Sequence, residues 1–341
     1  MSKTVGEIIV KTLSMLGTKV IFGIPGVHSV ELYRGIAREN IRHVTPRHEQ
    51  GAGFMADGYA RKTGVPGVCF VITGPGLTNI ITPMAQAYAD RIPMLVISTV
   101  NPTPSLGNNT GLLHALPDQS ALAKTVALKS FTITKLENTA ETVTKAYHTT
   151  LGPRKGPVHI QIPTNKLEAK ITGKTFCINN PKPLKSKNLR KDILKCSKLI
   201  EKENKVIILA GGGAANASEE LANLSKALSA PVLLTINARG LMPHNPMALP
   251  ASPSLRDVRN LFSFFDLALV VGSELGPTDY DMFDTEKKIK FKKIVRIDID
   301  PKPNTGNPKF DLNINHDSKI FLKELINYLK KNNVNKKIFR A

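Results

Sequence analysis

The sequence predicts an α/β protein built from two doubly wound parallel-sheet domains in tandem. Short apolar runs rich in valine and isoleucine alternate with segments of helical character, which is typical of a parallel sheet covered by helices on both faces. Most of these runs stop at glycine or proline, and the alternation occurs twice, on either side of a polar stretch. The length of 341 residues suits two domains of ordinary size.

The first domain is predicted to span residues 1–165. Its strand candidates, in order, are "KVIFGIPG", "IRHVTPRHE", "GVCFVITGPG", "PMLVISTV" and "PVHIQIP". The polar residues that follow, 166–190, include two prolines and have no sustained periodicity. They are therefore predicted to form an interdomain linker.

The second domain is predicted to span residues 191–330 and to be Rossmann-like in the same way. Its strand candidates are "KVIILAGGGAANAS", "PVLLTINARG", "DLALVVGSELG" and "KKIVRIDIDP". The segment "SKIFLKELINYLKK" then has the spacing of an amphipathic helix. Residues 331–341 form a basic stretch that we interpret as a tail or as the beginning of a further linker.

The composition narrows the class of protein. The net charge of +20 comes mainly from lysines spread over 182–205, 287–293 and 330–340, without interleaved aromatic residues. This distribution favours a solvated lysine-rich surface and no nucleic-acid partner; a basic nucleic-acid-binding protein is the rival interpretation, and it predicts a steeply salt-dependent affinity. No run approaches the roughly 18 to 20 apolar residues of a membrane span, so we expect no membrane partner and a cytoplasmic location.

Two glycine-containing turns suggest a ligand site at one edge of the first sheet. "FGIPG" and "FVITGPGLTN" each follow a strand and present backbone without side chains. Ligands of open parallel sheets lie beyond the carboxyl ends of the strands, so Pro25, Gly26, Glu49, Gly74 and Gly76 are expected to share that edge. Ordinary strand-to-helix connections explain the pattern equally well. "LAGGGAANA" in the second domain lacks the GxGxxG spacing, and we interpret its glycines as turn and packing residues.

The stretch "RHEQGAGFMADGYAR" predicts a helix with an almost bare face. Glycine inside a helix costs roughly 1 kcal/mol relative to alanine, so a benefit from the missing side chains is expected. Glu49, Gly53, Ala56 and Ala60 have the spacing of one helix face. Such a face suits close packing against another helix or a flat ligand. The simplest role for Glu49 is to complement the positive helix N-terminus.

Taken together, these motifs resemble a known family. "FGIPGVHSVELY", "TPRHEQGAGFMADGYAR", "GVCFVITGPGLTN", "AQAYADRIPMLVIS" and "PVHIQIP" resemble the pyrimidine-binding domain of thiamine-diphosphate enzymes of the acetolactate synthase and benzoylformate decarboxylase group. "PVLLTINARGLMP", "DLALVVGSELG" and "VRIDIDP" are similar to the central domain of the same family. Within the group, "GVHSVELYRG", "LHALPDQ" and "GSELGPTDYD" most resemble 5-guanidino-2-oxopentanoate decarboxylases.

The resemblance implies a thiamine diphosphate cofactor and a catalytic role for Glu49. In the family this glutamate hydrogen-bonds the pyrimidine N1′ and promotes the imino tautomer that deprotonates the thiazolium C2. The resemblance also implies that the helix bearing Glu49 packs at a subunit interface beside the cofactor, hence a homo-oligomer. The other implied cofactor contacts are Pro25, Gly26, Thr73, Gly74 and Asn79.

The resemblance further implies a small 2-oxo acid substrate, which Val27 and His28 would face. His114 stands near the place of a glutamine in the Phe-Gln-Glu segment of acetolactate synthases. This departure weakens the carboligase interpretation and makes His114 a candidate acid or base. A histidine that serves only packing or the surface is the alternative.

A third family domain supplies a Gly-Asp-Gly motif and an asparagine that bind Mg²⁺ and the diphosphate. Gly-Asp-Gly is absent from this sequence, so we assign no metal ligands here and expect them from another domain, in a possible separate chain; FAD is not expected. The expected function is the first part of a 2-oxo acid decarboxylase or an acetolactate synthase-like carboligase, inactive as an isolated chain. The alternative is a non-catalytic binding or regulatory subunit, or a truncated fragment that retains the fold.

Overall fold

The computed structural model describes residues 3–108, 110–171, 188–249, 251–280, 291–302 and 308–334. The chain divides into two compact units, Met1–Pro183 and Leu184–Ala341. Each unit contains a six-stranded sheet in which every strand pair is parallel. The predicted α/β class with two tandem parallel-sheet domains is therefore confirmed.

The first unit contains eight strands and seven α-helices among its described residues. The strands are β1 (Lys3–Thr4), β2 (Val20–Gly23), β3 (Arg42–Val44), β4 (Gly67–Val71), β5 (Met94–Val100), β6 (Lys129–Thr132), β7 (Pro157–Pro163) and β8 (Lys170–Ile171). The helices are α1 (Val5–Met15), α2 (Val30–Ile36), α3 (Glu49–Thr63), α4 (Pro75–Asp90), α5 (Gln119–Lys124), α6 (Thr139–Thr150) and α7 (Thr164–Leu167). The main sheet has the order β3-β2-β4-β5-β7-β6.

The central strands of this sheet are buried on both faces. Successive residues of a strand point to opposite faces, so Val68 and Phe70 of β4 belong to one core, whereas Cys69 and Val71 belong to the other. Helices α1, α2 and α6 cover the first face, and α3, α4 and α5 cover the second. This double coverage explains why the central strands are continuous apolar runs in the sequence.

The second unit repeats this architecture. Its strands are β9 (Val206–Ala210), β10 (Val232–Leu234), β11 (Ala248–Leu249), β12 (Leu267–Val271), β13 (Lys293–Asp298) and β14 (Leu312–Asn315). Its helices are α8 (Leu189–Lys202), α9 (Ser218–Leu228), α10 (Arg256–Leu261), α11 (Pro277–Tyr280) and α12 (Ser318–Lys331). The sheet order is β11-β10-β9-β12-β13-β14. The predicted amphipathic helix is confirmed, since α12 buries Phe321, Leu322 and Leu325 in the core.

The glycines of "LAGGGAANA" serve close backbone packing. A Cβ placed on Gly211 or Gly213 would overlap the backbone of Gly272, and Gly272 itself has a φ of +60°. The turns after β9 and β12 therefore approach each other at a distance that only glycine permits. This contact supports packing, rather than phosphate binding, as the role of the motif.

The predicted linker begins inside the first unit. Residues 166–171 contain the end of α7 and strand β8, which pairs antiparallel with β1. A two-residue strand is too short to show a period in the sequence, so this pairing was not predicted. Residues 172–187 lie outside the described residues, and the exact domain bounds stay a prediction.

The two described cysteines, Cys69 and Cys196, are free thiols without solvent exposure. Burial raises the pKa of both thiols, that of Cys196 to about 12. Cys177 lies outside the described residues. Within the part of the chain that the structure describes, no helix has both the length and the apolar character needed to cross a membrane.

Candidate functional site

The candidate site lies where the strands of the first main sheet end. Parallel strands present their carboxyl ends at the same edge, so the segments that follow β2, β3 and β4 meet there. Val27 follows β2, Glu49 opens α3 after β3, and Gly74 precedes α4 after β4. The arrangement fits the shared edge expected from the sequence.

Glu49 is held in place by Asn79. The Asn79 Nδ2 group donates a hydrogen bond of 2.9 Å to Glu49 Oε2, which joins the first turn of α3 to the first turns of α4. Among the described residues, no group donates a hydrogen bond to the second oxygen, Oε1. Glu49 thus presents one fixed and one available carboxylate oxygen at the edge of the sheet, and the two residues are both predicted cofactor contacts.

The bare face of α3 packs inside the chain. Ala56 and Ala60 are almost completely buried, and a Cβ on Gly53 would overlap Pro83 of α4. A Cβ on Gly67 of β4 would similarly overlap the Ala56 carbonyl. The bare face is therefore covered within the chain, and the subunit contact expected for this helix cannot use that face. The missing side chains let α4 and β4 of the same chain approach α3.

Gly74 forms a tight contact with the segment that carries His114. Gly74 has a φ of +63°, and a Cβ there would overlap the His114 carbonyl oxygen. Its N–H donates a hydrogen bond of 2.8 Å to Gln119 Oε1. Only glycine satisfies both the backbone angle and the close approach. The structure thus brings the predicted residues Gly74 and His114 together.

His28 and Thr73 are also brought together. His28 Nδ1 lies 2.9 Å from Thr73 Oγ1, and the rings of His28 and His114 are 6.2 Å apart between centroids. Burial and the neighbouring His114 both lower the pKa of His28, in that order of importance. Val27 is 71% exposed beside this pair. These groups form a surface of two histidines and a valine at the sheet edge.

Pro25 and Gly26 lie on the turn after β2. Pro25 is exposed, and the Gly26 N–H donates a hydrogen bond of 3.1 Å to Ser29 Oγ. A Cβ on Gly26 would stand 2.7 Å from Ile72 Cδ1, so the glycine permits this turn to pack on the next strand connection. No hydrogen bond among the described residues joins the turn to Glu49 or Asn79.

A buried polar network behind the site was not predicted. Gln119 Nε2 donates to Ser98 Oγ and to the Thr99 carbonyl, and Ser98 Oγ lies 2.8 Å from His159 Nε2. Burial lowers the pKa of His159 to about 3, so its ring is neutral. The available signal was the presence of Ser, Thr, His and Gln inside the apolar runs "PMLVISTV" and "PVHIQIP".

One of the described groups suits thiamine diphosphate. The available oxygen of Glu49 suits a heterocycle with a ring nitrogen, whereas Gly74 is buried and the His114 carbonyl oxygen covers the side where its Cβ would stand. Among the residues that the structure describes, no group of three or more His, Cys, Asp and Glu side chains is arranged to hold a metal ion.

Comparisons with known proteins agree on one family. Residues 3–122 match the family described as thiamine pyrophosphate enzyme, N-terminal TPP binding domain, and residues 193–325 match its central domain. The chain is 41% identical over 300 residues to a probable 2-ketoarginine decarboxylase of Pseudomonas aeruginosa, covering 88% of this chain and 53% of that protein.

Two acetolactate synthases illustrate the wider similarity. A probable large subunit of Methanocaldococcus jannaschii is 32% identical, covering 94% of this chain and 55% of that protein. The isozyme 1 large subunit of Escherichia coli is 29% identical, covering 87% of this chain and 53% of that protein. The chain thus spans about half the length of the curated relatives it matches.

Proposed function

Because the chain belongs to the thiamine-diphosphate-dependent decarboxylase and acetolactate synthase-like family, we propose that its first unit binds the cofactor's aminopyrimidine through Glu49. The observation that carries this proposal is the hydrogen bond from Asn79 to Glu49, which leaves Glu49 Oε1 available at the sheet edge. A carboxyl group in this position accepts and returns a proton at a ring nitrogen, which is general acid-base catalysis. Thr73 and Gly74 are both buried, and they are proposed to shape the turn behind the ring.

The proposed reaction is decarboxylation of a 2-oxo acid. When bound, thiamine diphosphate supplies an electron sink for the loss of carbon dioxide. In this chain, Val27 and His28 face the substrate and His114 exchanges protons with it. The carbonyl oxygen of His114 packs on Gly74, which keeps the histidine close to the proposed ring site.

We propose 5-guanidino-2-oxopentanoate as the substrate. This compound is 2-ketoarginine, and the relative at 41% identity is named for its decarboxylation. The second candidate is a carboligase that forms acetolactate, because relatives at 29% and 32% identity carry that name. His114 near the position of the glutamine in acetolactate synthases favours the decarboxylase.

The Mg²⁺ and the diphosphate are proposed to bind residues outside this sequence. The 341 residues contain no Gly-Asp-Gly segment. The proposed source is a diphosphate-binding domain, in a longer form of the polypeptide or in a separate chain. A non-catalytic subunit remains the alternative function; the retained Glu49 and Asn79 pair argues against it.

The test is a reconstitution of the chain with a diphosphate-binding domain taken from the 2-ketoarginine decarboxylase relative. With thiamine diphosphate and Mg²⁺ present, we expect carbon dioxide release from 5-guanidino-2-oxopentanoate and little acetolactate from pyruvate. Acetolactate as the main product would support the carboligase. Cofactor binding without turnover of either substrate would support the non-catalytic subunit.

A further inference from the structure

The hydroxyl groups of Thr99 and Thr73 form a directed hydrogen-bond relay. Thr99 has no solvent exposure, and its Oγ1 accepts a hydrogen bond of 3.0 Å from the Thr73 N–H. A buried hydroxyl also needs an acceptor for its own proton. Throughout the described ranges, the acceptor within hydrogen-bond distance of Thr99 Oγ1 is Thr73 Oγ1, at 3.0 Å. Thr99 therefore donates to Thr73.

The direction of the hydrogen bond from Thr99 to Thr73 determines the direction of the bond between Thr73 and His28. Because Thr73 Oγ1 accepts from Thr99, its own proton is directed to its other partner, His28 Nδ1, at 2.9 Å. A nitrogen that accepts a hydrogen bond carries no proton, so the neutral ring of His28 carries its proton on Nε2. The opposite direction would leave the buried Thr99 hydroxyl without an acceptor, which native structures rarely tolerate.

The Nε2 side of the His28 ring is free of hydrogen bonds from the described residues. No hydrogen bond of the described residues engages His28 Nε2, and the ring is only partly buried beside His114 and the exposed Val27. Burial and His114 both lower the pKa of His28, which agrees with a neutral ring. Nε2–H is thus an oriented donor without a hydrogen-bond partner among the residues that the structure describes.

We propose that His28 is a specificity-determining residue, fixed by Thr99 and Thr73 as a neutral Nε2–H donor that binds an oxygen of the 2-oxo acid. The assignment of that oxygen to a substrate rests on the proposed function, whereas the tautomer does not. Carboxylate and carbonyl oxygens are the acceptors that match this donor. His114 lies outside the relay, and the proposed function assigns proton exchange to it.

The tautomer can be tested on the whole chain without cofactor or substrate. Nitrogen-15 labelling of histidine, with His28 assigned by the signal lost in His28→Gln, distinguishes a protonated from an unprotonated ring nitrogen. In a neutral ring we expect an unprotonated, hydrogen-bonded Nδ1 and a protonated Nε2. Thr73→Val should move the Nδ1 resonance, whereas Thr73→Ser should not.

A protonated Nδ1 in the parent chain, or identical His28 signals in the valine and serine variants, would overturn the relay. The binding role is tested separately in the reconstituted protein. His28→Leu removes the donor and should raise KM for the 2-oxo acid by about tenfold, the loss that one hydrogen bond supports. His28→Gln retains an N–H near the Nε2 position and should stay within about threefold of the parent.

Equal KM values for the leucine and glutamine variants would refute the donor role. If the reconstituted protein turns over no 2-oxo acid, the proposed function and the substrate role of His28 fail together. The nitrogen signals would still decide the tautomer, because they are recorded without a ligand. The two failures are therefore distinguishable.

Discussion

At the scale of single residues, Glu49 combines a fixed and an available oxygen. The amide of Asn79 donates a hydrogen bond to Oε2, which fixes the position of the carboxyl group and leaves Oε1 available. This hydrogen bond joins α3 to α4, and the available Oε1 is the feature on which the proposed cofactor role rests. The cofactor role of Glu49 stays a prediction.

We expect Glu49→Gln to preserve the fold and to lose proton exchange. Glutamine keeps the shape and can still accept from Asn79, but it cannot exchange a proton with a ring nitrogen. In the reconstituted protein, turnover and hydrogen-deuterium exchange at the cofactor C2 should slow by at least about 10²-fold, the low end for acid-base groups. The melting temperature should change little.

Glu137→Gln is the matched control, since Glu137 is an exposed glutamate of the same unit. It should exchange C2 at the parental rate. Equal rates of C2 exchange in the Glu49→Gln variant and in this control would show that Glu49 serves only as a carboxylate at the helix N-terminus.

His159 makes the stability of the first unit dependent on pH. Its pKa falls to about 3 in the folded chain, whereas an exposed histidine titrates near 6.5. At pH values between these two pKa values, His159 binds a proton in the unfolded chain but not in the folded chain. The free energy of unfolding should therefore fall with decreasing pH in that window, by up to about 1.4 kcal/mol per unit.

Urea titrations at several pH values, with exchange protection of β7 peptides as the probe, measure this dependence. His159→Gln should reduce the slope below about pH 6.5 even if it lowers stability at neutral pH. His244→Gln, at an exposed histidine of the second unit, should leave the slope unchanged. An unchanged slope in His159→Gln would assign the acid sensitivity to other groups.

The motif residues of the site were predictable because each lies in a short segment with its own signal. Gly74 follows a strand and precedes a proline, and Glu49 opens a glycine-weakened helix. Thr99 and His159 gave only a weak signal, since a polar residue in a buried strand does not indicate its partner, and Gln119 opens the short helix α5 without a motif of its own. Their partners come from strands and helices far apart in the sequence, which the tertiary fold alone brings together.

At the scale of elements, the packing of α3 on α4 explains the glycine content of α3. The sequence predicted which positions share the bare face but not what covers it. Gly53 meets Pro83, and Ala56 meets the backbone of β4 near Gly67. This close approach also sets the distance between Glu49 and Asn79, because both residues stand near the N-termini of these two helices.

Gly53→Ala should destabilise the chain although alanine is the better helix former. The added methyl group would overlap Pro83, and overpacking of this kind costs about 1–3 kcal/mol. Gly58→Ala in the same helix is the control, since a Cβ there meets nothing within 4 Å. It should stabilise the chain by up to about 1 kcal/mol. Urea denaturation compares the two, and equal stabilities would contradict the packing.

At the scale of the whole molecule, the alternation of apolar strands and helices specified two parallel sheets. It could not specify the order of the strands within a sheet. Strand β6 lies at the edge of its sheet and β7 lies next to β5, although β6 comes before β7 in the chain. The structure of the linker was harder to predict than the strand order. Strand β8 pairs with β1 over two residues, and a contact between the beginning of the chain and the end of the first unit leaves no local pattern.

The outer face of α3 is the surface through which we expect self-association. Phe54 and Met55 are 45% and 44% exposed there, opposite the buried glycine and alanine face. Large apolar side chains on a helix beside a candidate site gain free energy when a second copy covers them. Because the bare face is covered within the chain, we expect the subunit interface at the exposed apolar face of α3 instead.

Phe54→Glu should therefore dissociate the oligomer without unfolding the chain. An unpaired carboxylate buried in an apolar interface costs several kcal/mol, so the dissociation constant should rise by at least about 10²-fold. Phe264→Glu is the control, because Phe264 is equally apolar and 60% exposed but belongs to the second unit. Sedimentation velocity over a range of concentrations measures both variants. Dissociation by the Phe264 variant and not by the Phe54 variant would place the interface on the second unit, where no residue of the candidate site lies.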